Sequence, residues 1–148
     1  MRYIKIFAVA MLTVFILAAC TATTETATPV PTLEIPIPGA DTGVVTGTII
    51  SASLGTPPVA NLYLSENLTT GRTDVPPLFS FSYQSNPRGV MDANGTFYFK
   101  DVPVGTYVIT LWTPPDNAEF VRNASDEDYL WVVVEAGKVL DLGEVIAP

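Results

Sequence analysis

From residue 44 onward, large apolar residues tend to fall at every second position, in short runs that Gly, Pro, Asn or Asp soon interrupt. Period-two spacing puts neighbouring side chains on opposite faces of a strand, whereas a helix needs the i, i+3, i+4 pattern. No long stretch after residue 19 shows the helical pattern. Seven candidate strands follow, at residues 44–51, 59–65, 78–84, 96–100, 106–113, 129–135 and 138–146. Ala60, Leu62 and Leu64 share one face, as do Phe79, Phe81 and Tyr83, with Ser80 and Ser82 opposite. Phe97 and Phe99 pair in the same way. In residues 106–113, Tyr107, Ile109 and Leu111 face the expected core, and Val108, Thr110 and Trp112 face away from it towards solvent.

The punctuation agrees with short strands. Asp92-Ala93-Asn94-Gly95 supplies residues that take positive φ readily, as a tight turn between strands requires. Pro103-Val104-Gly105 separates the next pair, and Glu135-Ala136-Gly137-Lys138 reads as a hairpin between the last two. Seven short strands in about a hundred residues predict an all-β fold, a single seven-stranded antiparallel β-sandwich over residues 44–148.

The 43 residues before it differ in kind. Arg2 and Lys5 are followed by an apolar run from Ile6 to Ala19, broken by Thr13, and then by Cys20. A charged start, an apolar middle of ~7–15 residues and small residues at the end describe a secretory signal. The run is shorter than the ~20 apolar residues a membrane-spanning helix needs. Leu17-Ala18-Ala19-Cys20 resembles the lipobox of bacterial lipoproteins. That resemblance implies a diacylglycerol on the Cys20 sulfur, cleavage before Cys20, and residence on the outer face of a membrane. Thr21 rather than Asp at the second mature position leaves inner and outer membrane both open. Residues 20–43 are rich in Thr, Ala and Pro and cannot bury enough apolar surface to offset chain entropy. They read as a disordered tether, biased to polyproline II and reaching roughly 70 Å at full extension.

Composition narrows the chemistry. Seven basic and fifteen acidic residues give a net charge of −8. Loss of Arg2 and Lys5 with the signal leaves five basic residues against fifteen acidic, a net of −10. Nucleic acid would be repelled, so it is no expected partner. The chain has no histidine, and its one cysteine is Cys20, so the commonest general base, the commonest metal ligand and an internal disulfide are all excluded.

A longer pattern now stands out. Val45-Thr46-Gly47-Thr48-Ile49, then Pro58-Val59-Ala60, then the run from Asp92 through Gly95, Phe97, Phe99, Pro103 and Gly105 to Tyr107, resemble carboxypeptidase regulatory-like domains. These are prealbumin-like (transthyretin-like) sandwiches. The resemblance covers residues 44 to about 146. It implies an accessory, spacer or binding role rather than catalysis. Related pilin-type domains form a Lys–Asn or Lys–Asp crosslink with a nearby acid. Here the first strand has no Lys and residues 111–115 contain no Glu, so no crosslink is expected.

No metal or other cofactor is expected. A calcium loop starting at Asp92 would need Glu at its twelfth position, which is Pro103. Ser125-Asp126-Glu127-Asp128, with Asp116 and Glu119, reads as a solvated charged loop. No pair of carboxylates is arranged for glycoside hydrolysis, and no enzyme activity is expected. The candidate ligand-binding residues are Trp112, Trp131 and Tyr129, aromatics expected on outward faces, where they stack on sugar rings or anchor a protein. Two functions follow for the exported domain: a protein-interaction or spacer module of the cell envelope, or a carbohydrate-binding module. Exposed, coplanar tryptophans favour the second and buried ones the first.

Overall fold

The computed structural model describes residues 33–123 and 128–148. Cys20, the segment before it, the first part of the tether and residues 125–127 of the acidic run lie outside the described residues. Among the described residues there are nine strands and no helix. They are β1 (Thr42–Ser51), β2 (Asn61–Asn67), β3 (Phe79–Ser80), β4 (Val90–Met91) and β5 (Thr96–Pro103), followed by β6 (Gly105–Thr113), β7 (Asn117–Phe120), β8 (Trp131–Val134) and β9 (Val139–Ala147).

They form two sheets in a sandwich-like arrangement. The first runs β4-β5-β1-β9; the second runs β3-β2-β6-β7, with β8 also on β6. The pattern of alternation explains the core between them. Val45, Ile49, Phe97, Phe99 and Val102 of the first sheet meet Leu62, Leu64, Tyr107, Ile109 and Val132 of the second. Phe97 and Phe99 are fully buried and pack edge to face at 5.8 Å. Each side chain of this size contributes roughly 1.5–3 kcal/mol by leaving water.

Four expectations change. The sandwich is mixed rather than antiparallel throughout, because β9 runs parallel to β1. The turn Glu135–Lys138 is therefore not a hairpin within one sheet: it carries the chain from β8 in the second sheet to β9 in the first. There Gly137, at φ 68°, donates its N–H to the Thr42 carbonyl at 2.9 Å, which pins the corner to the start of β1. Nine strands replace seven, since β4 and β7 are held by pairing with β5 and β6 and carry little alternation of their own. Strand β1 begins at Thr42, and residues 33–41 are in neither strand nor helix.

The largest change is at residues 78–84, where a seven-residue strand is expected and only Phe79–Ser80 pairs with β2. The Asn86 side chain is the reason. Its amide donates to the Leu64 carbonyl at 2.7 Å and the Ser80 carbonyl at 3.0 Å, while its Oδ1 accepts the Ser82 N–H at 2.8 Å. The Asn86 N–H also bonds the Ser82 carbonyl at 2.9 Å. A side chain that satisfies backbone groups locally takes them from the sheet ladder.

Candidate functional site

The outer face of the second sheet carries the candidate aromatics. Alternation sends Tyr63 and Ser65 of β2, Val108, Thr110 and Trp112 of β6, and Trp131 of β8 to this side. An outer sheet face is ordinarily solvated. Here Ser65, Val108 and Thr110 are fully buried and Tyr63 is 3% exposed. The Ser65 and Thr110 hydroxyls meet at 2.6 Å, so burial leaves both satisfied. Thr110 thus faces away from the core as its sequence position predicts, but not into solvent.

Aromatic rings cover this row in two groups. In one, Phe79 packs against Phe120 at 5.0 Å, Tyr129 at 4.7 Å and Trp131 at 5.7 Å, with Arg122 4.8 Å above the Tyr129 ring. Tyr129 and Trp131 meet nearly edge to face, 5.7 Å apart at 65°. In the other, buried Tyr63 supports Phe81 and Trp112 edge-on at 5.7 and 6.1 Å. Tyr83 lies flat on Trp112, 5.0 Å between centroids and 9° between planes.

The three aromatics singled out in the sequence therefore share one face but not one platform. Trp131 and Tyr129 interlock with each other, and Trp112 belongs to the second group. All three are half-buried. Tyr83 is 53% exposed, and the sequence pattern puts it in a strand, on one face with Phe79 and Phe81. The turn-forming run Ser85-Asn86-Pro87 that follows it is the signal that could have placed it in a loop.

Polar side chains border the Tyr83–Trp112 pair. Gln84 donates from Nε2 to the Tyr83 hydroxyl at 3.4 Å. Asn61, opposite Trp112 in the sheet, donates to the Trp112 carbonyl at 3.4 Å and accepts from Arg88 Nη2 at 2.6 Å.

Elsewhere, a polar cleft of about 470 Å³ is lined by Glu66, Ser80, Lys100, Asp101 and Tyr107. The Tyr107 phenol donates to the Pro103 carbonyl at 3.0 Å, and burial, with the Glu66 carboxylate nearby, pushes its pKa up. Asp101 stands at φ 53°, in a bulge where the β1–β5 register shifts. The Asp92 carboxylate is committed to its turn, with Oδ1 accepting the N–H groups of Asn94 at 2.8 Å and Thr96 at 3.0 Å. Among the described residues no three His, Cys, Asp or Glu side chains are grouped closely enough to hold a metal ion, and no helix is long and apolar enough to cross a membrane.

No family model matches the chain, and no curated protein matches it. Among solved structures it is similar to a candidate carbohydrate-binding protein from Pseudomonas aeruginosa, with 17% identity and a TM-score of 0.40 over 77% of this chain and 100% of that one. It is also similar to a 9R-lipoxygenase from Cyanothece, with 17% identity and a TM-score of 0.35 over 79% of this chain and 18% of the enzyme. At this identity and TM-score neither likeness bears on chemistry or ligand.

Proposed function

We propose that the chain is a non-catalytic lipoprotein of a bacterial cell envelope. Lipid on Cys20 anchors it to the outer face of a membrane, and residues 20–41 hold its sandwich away from that surface. The sandwich serves as an interaction or spacer module, and its partner is an envelope protein or polysaccharide. The observation that carries this reading is the placement of the chain's one cysteine directly after Leu17-Ala18-Ala19, where an apolar run behind Arg2 and Lys5 ends. One acyl chain anchors a protein only marginally, so the reading requires two or more on Cys20.

The finer architecture proposed is the prealbumin-like, carboxypeptidase regulatory-like sandwich. Three placements support this reading. The V-x-G-x-I run lies in β1, between β5 and β9. Gly95, at φ 83°, closes the β4–β5 turn against the Ile49 carbonyl. Pro103-Val104-Gly105 carries the chain from one sheet to the other, ahead of buried Tyr107. A chain without histidine, whose outer aromatics mostly pack on one another, suits contact and support better than bond-breaking.

Metabolic labelling with palmitate tests the anchor. The wild-type chain takes up label and Cys20→Ala does not; equal labelling of both would remove the lipoprotein reading.

A further inference from the structure

Tyr83 is half-exposed yet firmly held. One ring face is occupied by Trp112, Trp112 rests edge-on against buried Tyr63, and the Asn86 side chain pins the backbone at Ser82 and Ser80. An aromatic ring fixed in this way offers flat apolar area with little rotamer entropy left to lose on binding. Its surroundings are not those of a protein hot spot buried in an apolar pocket. The Gln84 amide meets its hydroxyl, and the Asn61 amide, which also accepts from Arg88, lies against the backbone of its stacking partner Trp112.

That combination matches a pyranose ring. The axial C–H groups of the sugar form an apolar face that stacks on an aromatic ring. Its equatorial hydroxyls project from the rim and need both donors and acceptors, which amides supply together. We propose that Tyr83, backed by Trp112, with Gln84 at its hydroxyl and Asn61 beside Trp112, is a binding site for neutral pyranoside chains rich in equatorial hydroxyls.

Charge selects the neutral class. Fifteen acidic residues against seven basic ones repel a polyuronate at long range. The second aromatic group is not part of the site, because Phe79, Phe120, Tyr129 and Trp131 meet one another at tilted or edge-on angles and present no common plane.

This assignment rests on the reading of the sandwich as a binding module and is independent of its anchor. The test uses the full chain in a detergent without a sugar headgroup. Trp131→Phe leaves Trp112 as the remaining indole of the chain's two. Its fluorescence is followed during titration with cellohexaose, chitohexaose and a galacturonate hexamer. We expect a saturable change with at least one neutral oligosaccharide. Tyr83→Ala weakens that binding at least ~10-fold, the loss of one aromatic contact, while Tyr83→Phe retains it. Circular dichroism of Tyr83→Ala should match the parent, since the ring removed is on the surface. No saturable response to either neutral oligosaccharide up to ~10 mM, a range that covers even ~1 mM affinities, would overturn the site. So would unchanged binding in Tyr83→Ala, loss of binding in Tyr83→Phe, or tighter binding of the galacturonate. A chain that takes up palmitate but ignores both neutral oligosaccharides overturns the site and leaves the anchor standing.

Discussion

Thr110 and Tyr107 lie on the same strand, three residues apart, and face opposite sides of the second sheet. Both are buried, for different reasons. Tyr107 fills the core between the sheets, and truncating a large buried aromatic costs ~3–5 kcal/mol. Thr110 lies beneath the outer aromatic layer with its hydroxyl against Ser65. Removing one partner of a buried pair leaves the other unsatisfied, at ~1–3 kcal/mol. Urea melts should therefore show Thr110→Ala destabilised by about 2 kcal/mol, less than Tyr107→Ala but well beyond the ~0.5 kcal/mol typical of an exposed site. Ser65→Ala made in the Thr110→Ala background should cost less than it does alone, because the hydroxyl it removes has already lost its partner. A Thr110→Ala value near zero would mean the aromatic cover over this row is open in solution. The alternation of residues 106–113 was legible in the sequence, and so was the direction of Thr110. Its burial was not, since the outer aromatic groups draw in Phe79, Phe81 and Tyr83 from a segment that reads as another strand.

Turns show where local sequence stops determining the element. Asp92-Ala93-Asn94-Gly95 joins β4 to β5 as its composition predicts, and Gly95 cannot be replaced there. Its φ is 83°, and a Cβ would stand 2.3 Å from the Ile49 carbonyl oxygen, which also accepts no easy shift because Ile49 donates its N–H to the Gly95 carbonyl at 2.9 Å. Gly95→Ala combines left-handed strain of ~1 kcal/mol with a backbone clash. Thermal unfolding should place it several degrees below the wild type, by far more than Gly55→Ala, where a Cβ meets nothing within 4 Å. Equal losses at the two glycines would show that strain alone, not the approach of β1, sets the cost. Glu135-Ala136-Gly137-Lys138 has turn chemistry just as clear, but the same residues serve a hairpin or a corner between sheets. The choice is made by β9 finding β1, a contact more than ninety residues apart in sequence. Residues 78–84 fail differently: their Phe/Ser alternation satisfies the strand pattern, and one side chain, Asn86, outbids the ladder for the backbone.

At the scale of the molecule, the tether leads into β1 at Thr42, beside the Glu135–Lys138 corner. The β4–β5 turn packs against Ile49, near the other end of β1, and Trp112 lies one residue before the end of β6 that leads into β7. The proposed function places a lipid at Cys20 behind that tether, so the length and end chemistry of the exported chain carry the central claim. Mass spectrometry of the protein purified from bacterial membranes, intact and as its N-terminal peptide, tests it most directly. The predicted chain begins at Cys20, lacks residues 1–19 and carries two or more acyl chains on that residue. A chain that keeps residues 1–19, or one in which Cys20 bears no lipid, would contradict the account.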